Sequence, residues 1–208
     1  KVARLINGGS YFKNQSGPSF LSSGTTTTGN TVSATQFLSY LDTYSAYIKQ
    51  NHPYFRRSNY KNAGTFASAK SKVADGDKVN VNCVSPTMWA LKEMGLLAQG
   101  TNFYSTTDGR WHGMNEKIKQ KVTIISNGDL IGMNVTKAAK EGLLQAGDII
   151  ANSSFNHTYV YAGYQNGEIL VYEAGGNASG KGYGNIGCGP FSAGQYKNLN
   201  IKSVLRWR

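Results

Sequence analysis

Between Ser33 and Ile48 the apolar positions Phe37, Tyr40, Leu41, Tyr44 and Ile48 recur at the period of one helical face, and the pattern breaks before Pro53. The spacing predicts an amphipathic helix capped at Ser33, with Tyr40, Tyr44 and Tyr47 in the core or half-buried beside it. Gly64 to Val73 predicts a second, shorter helix, Asp75-Gly-Asp77 a turn, and Lys78 to Val81 an extended lead into Asn82. A third apolar face follows in Met88, Trp89, Leu91, Met94, Leu96 and Leu97. Pro86 suits the first turn of that helix, whose amides have no intrahelical partner, and Asn82 suits its N-cap. Met114 to Gln120 and Thr136 to Leu144 predict two more helices, with a strand at Val122 to Ile125 between them.

Beyond Leu144 the pattern turns to strands. Leu144-Gln-Ala-Gly-Asp148-Ile-Ile150 reads as a turn feeding a short strand. His157 to Tyr164 and Glu168 to Glu173 flank Asn166-Gly167, a strong hairpin signal, and Ile201 to Trp207 closes the chain as a further strand. Helices first and antiparallel strands afterwards is α+β order, without βαβ alternation and without a dinucleotide or P-loop motif. Residues 1–33 have linker composition but are expected to pack on the body, and the Gly- and Asn-rich stretch from Gly175 to Gly189 reads as a loop bordering a cleft. The organisation that follows is an extension with one helix over residues 1–50 and a single body over 51–208.

The candidate chemistry lies where these elements begin and end. Cys83 stands at the head of the third helix, where the positive end of the dipole favours thiolate over thiol. His157 opens one hairpin strand and Glu173 ends the other. A thiol, an imidazole and a carboxylate to orient the imidazole are the parts of a nucleophilic hydrolase. Strand parity decides whether Glu173 takes part. A two-residue turn at Asn166-Gly167 would set Val160 opposite Glu173 and leave His157 on the other face. A three-residue loop or a bulge, expected at Gln165 to Gly167, sets Glu173 opposite Tyr159 and on the face of His157. Asn177 is the alternative acceptor. His112, in Gly109-Arg-Trp-His-Gly113, reads as a loop residue, exposed or in contact with substrate, and His52 as a helix-end residue.

The order of these features, a helix-heading Cys83, then Leu144-x-x-Gly-Asp148, then His157 opening a strand, then a polar Glu173 ending the next, resembles the NlpC/P60 and CHAP cysteine hydrolases of bacterial cell walls. The resemblance covers roughly Tyr60 to Ala174. It implies a papain-like fold and makes Cys83 the nucleophile, His157 the general base and then acid, and Glu173 the orienting group. The backbone amide of Cys83 would meet the oxyanion, with Asn82 or Tyr60 assisting. Glu173 leans toward the CHAP pattern. Asn82-Cys83-Val84-Ser85 stands where NlpC/P60 enzymes usually have Asp-Cys-Ser-Gly, and where CHAP domains usually have Gln before Cys. The implied activity is cleavage of a peptidoglycan amide, within the stem peptide or at the sugar-to-peptide bond, with no cofactor and no metal.

Composition agrees with an extracellular or cell-wall address, by secretion or phage delivery. Twenty-two Lys and Arg against 11 Asp and Glu give a net charge of +11, which points to an anionic neighbourhood such as cell-wall polymers. The positive charges are scattered rather than striped among exposed aromatics, which disfavours nucleic acid. No run of apolar residues is long enough to span a bilayer. The chain begins with Lys and shows no secretory apolar segment, as expected of a mature or excised fragment. Thirteen Tyr and 25 Gly with many Ser, Thr and Asn suit a surface that touches sugars. Asn-x-Ser/Thr sequons begin at Asn14, Asn134, Asn152, Asn156 and Asn177, and a glycan on Asn156 would obstruct His157, so a bacterial or phage origin is expected. The two cysteines, Cys83 and Cys188, also permit one disulfide, and with it an adhesin-like domain; a wall-binding module without activity is the remaining alternative.

Overall fold

Helix α1 (Thr31–Gln50) buries Phe37, Leu41, Tyr44 and Ile48, the face that the spacing predicts, and leaves Tyr40 and Tyr47 half-buried. It begins ahead of Ser33, which therefore lies in its first turn and not at its cap. The computed structural model describes residues 31–57, 64–106, 108–152, 157–175, 185–190 and 199–208. The expected packing of residues 1–30 lies outside these. A single 3-10 turn at His52–Tyr54 follows α1 and leads into β1 (Phe55–Arg57). Helix α2 (Phe66–Ala74) is capped by Thr65, whose hydroxyl accepts from the Ser68 amide at 3.0 Å. Strand β2 (Val79–Val81) pairs in parallel with β1. β1 is too short to leave a periodic signal in the sequence.

Helix α3 (Ser85–Glu93) is buried from Ser85 to Lys92. It stops four residues before the apolar run does, because Gly95 takes φ +70° and closes the helix end: the Gly95 amide donates to the Lys92 carbonyl at 3.0 Å and the Leu96 amide to the Leu91 carbonyl at 2.9 Å. Leu96 and Leu97 are buried in the turn that follows rather than on the helix. Tyr44 of α1 meets Trp89 of α3 edge to face at 5.7 Å and Phe66 of α2 at 4.3 Å, so the three helices share one aromatic core.

A small hairpin comes next, β3 (Tyr104–Ser105) and β4 (Trp111–His112), which places His112 on a strand rather than in the expected loop. Helix α4 (Glu116–Lys121), capped by Asn115, runs into β5 (Val122–Ile125), and helix α5 (Val135–Lys140) is capped by Asn134. Strands β6 (Ile149–Asn152), β7 (Thr158–Gln165), β8 (Glu168–Gly175), β9 (Asn185–Pro190) and β10 (Ile201–Trp207) complete the fold. With β5 they form one antiparallel sheet in the order β5-β10-β6-β7-β8-β9. The α+β class expected from the sequence is therefore present. β9 corrects the reading of Gly175 to Gly189 as loop at its far end, from Asn185 on, and residues 176–184 lie outside the described ones: the glycines of β9 left no apolar alternation to read, yet its backbone pairs with β8 along its whole length.

Both faces of the sheet are covered. Val160, Tyr172, Ala174 and Leu205 join the core of α1, α2 and α3, whereas Tyr159, Tyr161, Ile169 and Val171 pack with Val135, Ala138 and Ala139 of α5. Successive side chains of β7 thus enter different cores, and the strand reads as continuously apolar. The Tyr172 hydroxyl donates to Asp42 of α1 at 2.5 Å, tying the first helix to the hairpin strand.

The Leu144-to-Asp148 turn is locked from within. Gly147 has φ +94°, and a Cβ there would stand 3.2 Å from the Trp207 ring, so both conformation and space require glycine. Asp148 is 1% exposed and accepts from the Gln145 amide at 2.9 Å and from Arg206 at 2.9 and 2.7 Å. Arg206→Ala would leave that carboxylate buried with the amide alone. A loss of about 3 kcal/mol is expected, which for a chain of this size is a fall in Tm of about 6–12 °C. A melting point within about 2 °C of the wild type would show the pair to be dispensable.

Candidate active site

The hairpin combines a two-residue turn with a bulge farther along the strand, and the bulge decides the parity. Gln165 pairs with Glu168 across Asn166-Gly167, whose φ values of 52° and 82° make the tight, two-residue turn. The extra residue lies within the strand: Tyr161 opposes Val171 and Gly163 opposes Leu170, leaving Ala162 as a bulge. Val160 consequently faces Tyr172, and continuing that register by one residue sets Tyr159 opposite Glu173. The bulge expected at Gln165 to Gly167 is thus displaced along β7, because Asn-Gly satisfies the turn without an insertion there.

This register brings His157 Nε2 to 2.8 Å from Glu173 Oε2. Both residues are buried, at 5% and 1% exposure. The Cys83 thiol is hydrogen-bonded to the same imidazole. With Nε2 facing Glu173, Nδ1 is the nitrogen left for sulfur. The three side chains named from the sequence therefore form one chain of contacts, Cys83 to His157 to Glu173. Cys83 is a thiol and not half of a disulfide, which removes the disulfide-closed alternative. The backbone of Cys188 lies in β9 opposite Tyr172.

Helix α3 does not begin as the sequence suggests. Val84 occupies the N-cap position without a side-chain cap bond, and its carbonyl accepts the first helical bond from Met88 at 2.8 Å. Asn82 is not the cap: Ser85 Oγ accepts from the Asn82 amide at 2.9 Å and donates to Asn82 Oδ1 at 3.0 Å. This closed turn takes the place of a cap and holds Cys83 just ahead of the helix. The backbone amide of Asn82 is engaged by Ser85 and its Oδ1 is an acceptor, so the oxyanion role expected of Asn82 would fall to its side-chain Nδ2. Tyr60 and Asn177 lie outside the described residues.

The electrostatics follow from these contacts. Burial alone would raise the Cys83 thiol, but the hydrogen bond and charge of His157, together with the Thr158 amide, outweigh it and hold the thiol below its ordinary value. Burial alone would lower His157; the hydrogen bonds and charges of Cys83 and Glu173 prevail and push it up to about 9. A lowered thiol beside a raised imidazole favours the thiolate–imidazolium pair over the neutral one, the reactive form of a nucleophilic cysteine. The proton on His157 therefore favours the folded state fully below the ordinary imidazole range, and this contribution is lost as pH rises through about 9.

Two supports had no signal in the sequence. The backbone amide of Thr158 points at the sulfur, a role that no side chain announces. Tyr159, fully buried, sets its ring 5.5 Å from the His157 ring and accepts a hydrogen bond from Asn152 Nδ2 at 3.2 Å, walling the imidazole from water. Only their positions beside His157 could have suggested them. Among the described residues no three His, Cys, Asp or Glu side chains are grouped to hold a metal ion, and no helix is long and apolar enough to cross a membrane.

Comparison of the chain with protein-family models, with curated proteins and with solved structures finds no match. The functional reading therefore rests on the geometry and the resemblance of its motifs.

Proposed function

We propose that this chain is a secreted or phage-borne cysteine hydrolase of papain-like, NlpC/P60 or CHAP type that cleaves an amide bond of bacterial peptidoglycan. The observation that carries the reading is the buried Glu173 to His157 contact of 2.8 Å, with the Cys83 thiol on the same ring. The Cys83 thiolate attacks the amide carbonyl carbon, and the oxygen that gains the charge is met by the Cys83 backbone amide. The His157 imidazolium gives its proton to the departing amine as the carbon-nitrogen bond breaks, leaving a thioester on Cys83. His157, now neutral, takes a proton from water, whose oxygen attacks the thioester and releases the acid. Glu173 keeps the ring oriented and stabilises its charged form throughout. The net charge of +11 suits an anionic wall, and the Tyr-, Ser- and Asn-rich composition suits a sugar-bearing polymer.

The test is incubation with purified peptidoglycan while free amino groups are counted. The reading predicts their steady release, and no release from any peptidoglycan chemotype would overturn the substrate assignment. Activity should rise with pH as the thiolate forms and fall above about pH 9 as His157 loses the proton that it must donate. A rate still climbing beyond the His157 value would exclude it as the acid.

A further inference from the structure

The β3–β4 hairpin has one face fixed to the body and one face of exposed aromatic rings. Ser105 and Trp111 oppose each other in the register, as do Tyr104 and His112, so the two pairs point to opposite sides. On the inner side Trp111 stacks on buried Phe103 at 5.5 Å, and Ser105 Oγ lies 2.8 Å from Thr158 Oγ1 in a buried contact. Ser203 Oγ donates to the Gly109 carbonyl at 2.8 Å, which anchors the tip. Gly113, with φ +80°, lets the end of the hairpin close against Asn102, whose carbonyl oxygen would lie 2.2 Å from a Cβ there. On the outer side the Tyr104 and His112 rings stack at 4.6 Å and 12° from parallel, with Tyr104 42% exposed and His112 exposed.

The anchor at Ser105 lies beside the reaction site. Thr158 follows His157 directly and its amide faces Cys83. Tyr104 precedes Ser105, so with 3.8 Å between consecutive Cα atoms its Cα stands on the order of 10–15 Å from that of His157. A glycan strand with its attached peptide is long enough to span that separation. We propose that the Tyr104/His112 pair is a carbohydrate-stacking subsite, which holds a pyranose ring of a glycan strand while the attached peptide reaches Cys83. This rests on the hydrolase reading and deepens it by naming the sugar as a recognised part of the substrate. Flat exposed rings match the apolar C–H face of a pyranose, and their fixed placement means that little freedom is lost on binding.

The experiment is titration of the Cys83→Ala chain with a tetramer of N-acetylglucosamine, followed by amide NMR shifts. Tyr104→Ala and His112→Ala are each placed in that background, and Tyr104→Phe serves as the conservative control. Binding should weaken about tenfold in the two alanine variants and persist in the phenylalanine variant, with shifts centred on the hairpin. In the Cys83 background Tyr104→Ala should leave the alkylation rate of the thiol unchanged and raise KM, not lower kcat, on sugar-bearing wall fragments. Equal affinity in all variants, or no binding of the tetramer at all, would overturn the subsite. Tetramer binding that depends on Tyr104 in a chain without amide hydrolysis would keep the subsite and overturn the hydrolase reading; hydrolysis indifferent to Tyr104 and His112 would do the reverse.

Discussion

Replacing Cys83 by Ala is expected to leave the chain folded and to lower the release of amino groups from peptidoglycan by about a thousandfold or more. Cys83 is half-exposed in a turn that Asn82 and Ser85 close by themselves, so loss of its sulfur opens no large cavity in the helical core. Everything else that binds or polarises the substrate remains, yet no acyl intermediate can form. Circular dichroism and the melting curve should overlay those of the wild type. Retained hydrolysis in this variant would eliminate covalent catalysis at residue 83.

Glu173→Gln should have the next largest effect on activity. The amide oxygen can still accept from His157 Nε2–H, so the ring keeps a neutral partner across the 2.8 Å contact. What is lost is the charge that helps to hold the imidazolium. His157, held up to about 9 by Cys83 and Glu173 against its burial, should fall toward the ordinary imidazole range. The alkaline limb of the activity profile then moves to lower pH, and Cys83 needs a higher pH to become thiolate because its counter-ion is less stable. The loss is expected to be about a hundredfold in kcat/KM, short of that in Cys83→Ala, since orienting carboxylates cost less than nucleophiles when removed. An unchanged pH profile in Glu173→Gln would show the carboxylate to be a packing contact only.

Why these side chains meet was only partly readable in the sequence. Alternation and turn chemistry disclosed β7, β8 and the Asn166-Gly167 turn, because each residue there acts through its own φ preference or apolar face. The bulge at Ala162 left no such trace: it is fixed by pairing with β8, and one residue of slip decides whether Glu173 faces His157 or turns away. The start of α3 misled for a related reason. Asn82 has the side chain of a cap, but Ser85 engages it first, and the helix begins at Val84 without a side-chain cap. Strand β9 escaped notice because Asn185–Pro190 is rich in glycine and its pairing is a property of its neighbour β8. Arg206 was visible as a terminal positive charge, whereas its bidentate contact with Asp148 depends on β10 lying beside β6. Local chemistry was legible; contacts set by strand register were not.

The central claim is that Cys83 and His157 form one reactive ion pair, and the rate of Cys83 alkylation by iodoacetamide against pH measures it directly. Quantified by peptide mass spectrometry, the wild type should react rapidly at neutral pH, with the rise in rate lying below the ordinary thiol range, as the lowered Cys83 value requires. His157→Ala should remove that shoulder and leave a single rise near the ordinary thiol range. The same single rise in both proteins would contradict the pairing, and with it the hydrolase.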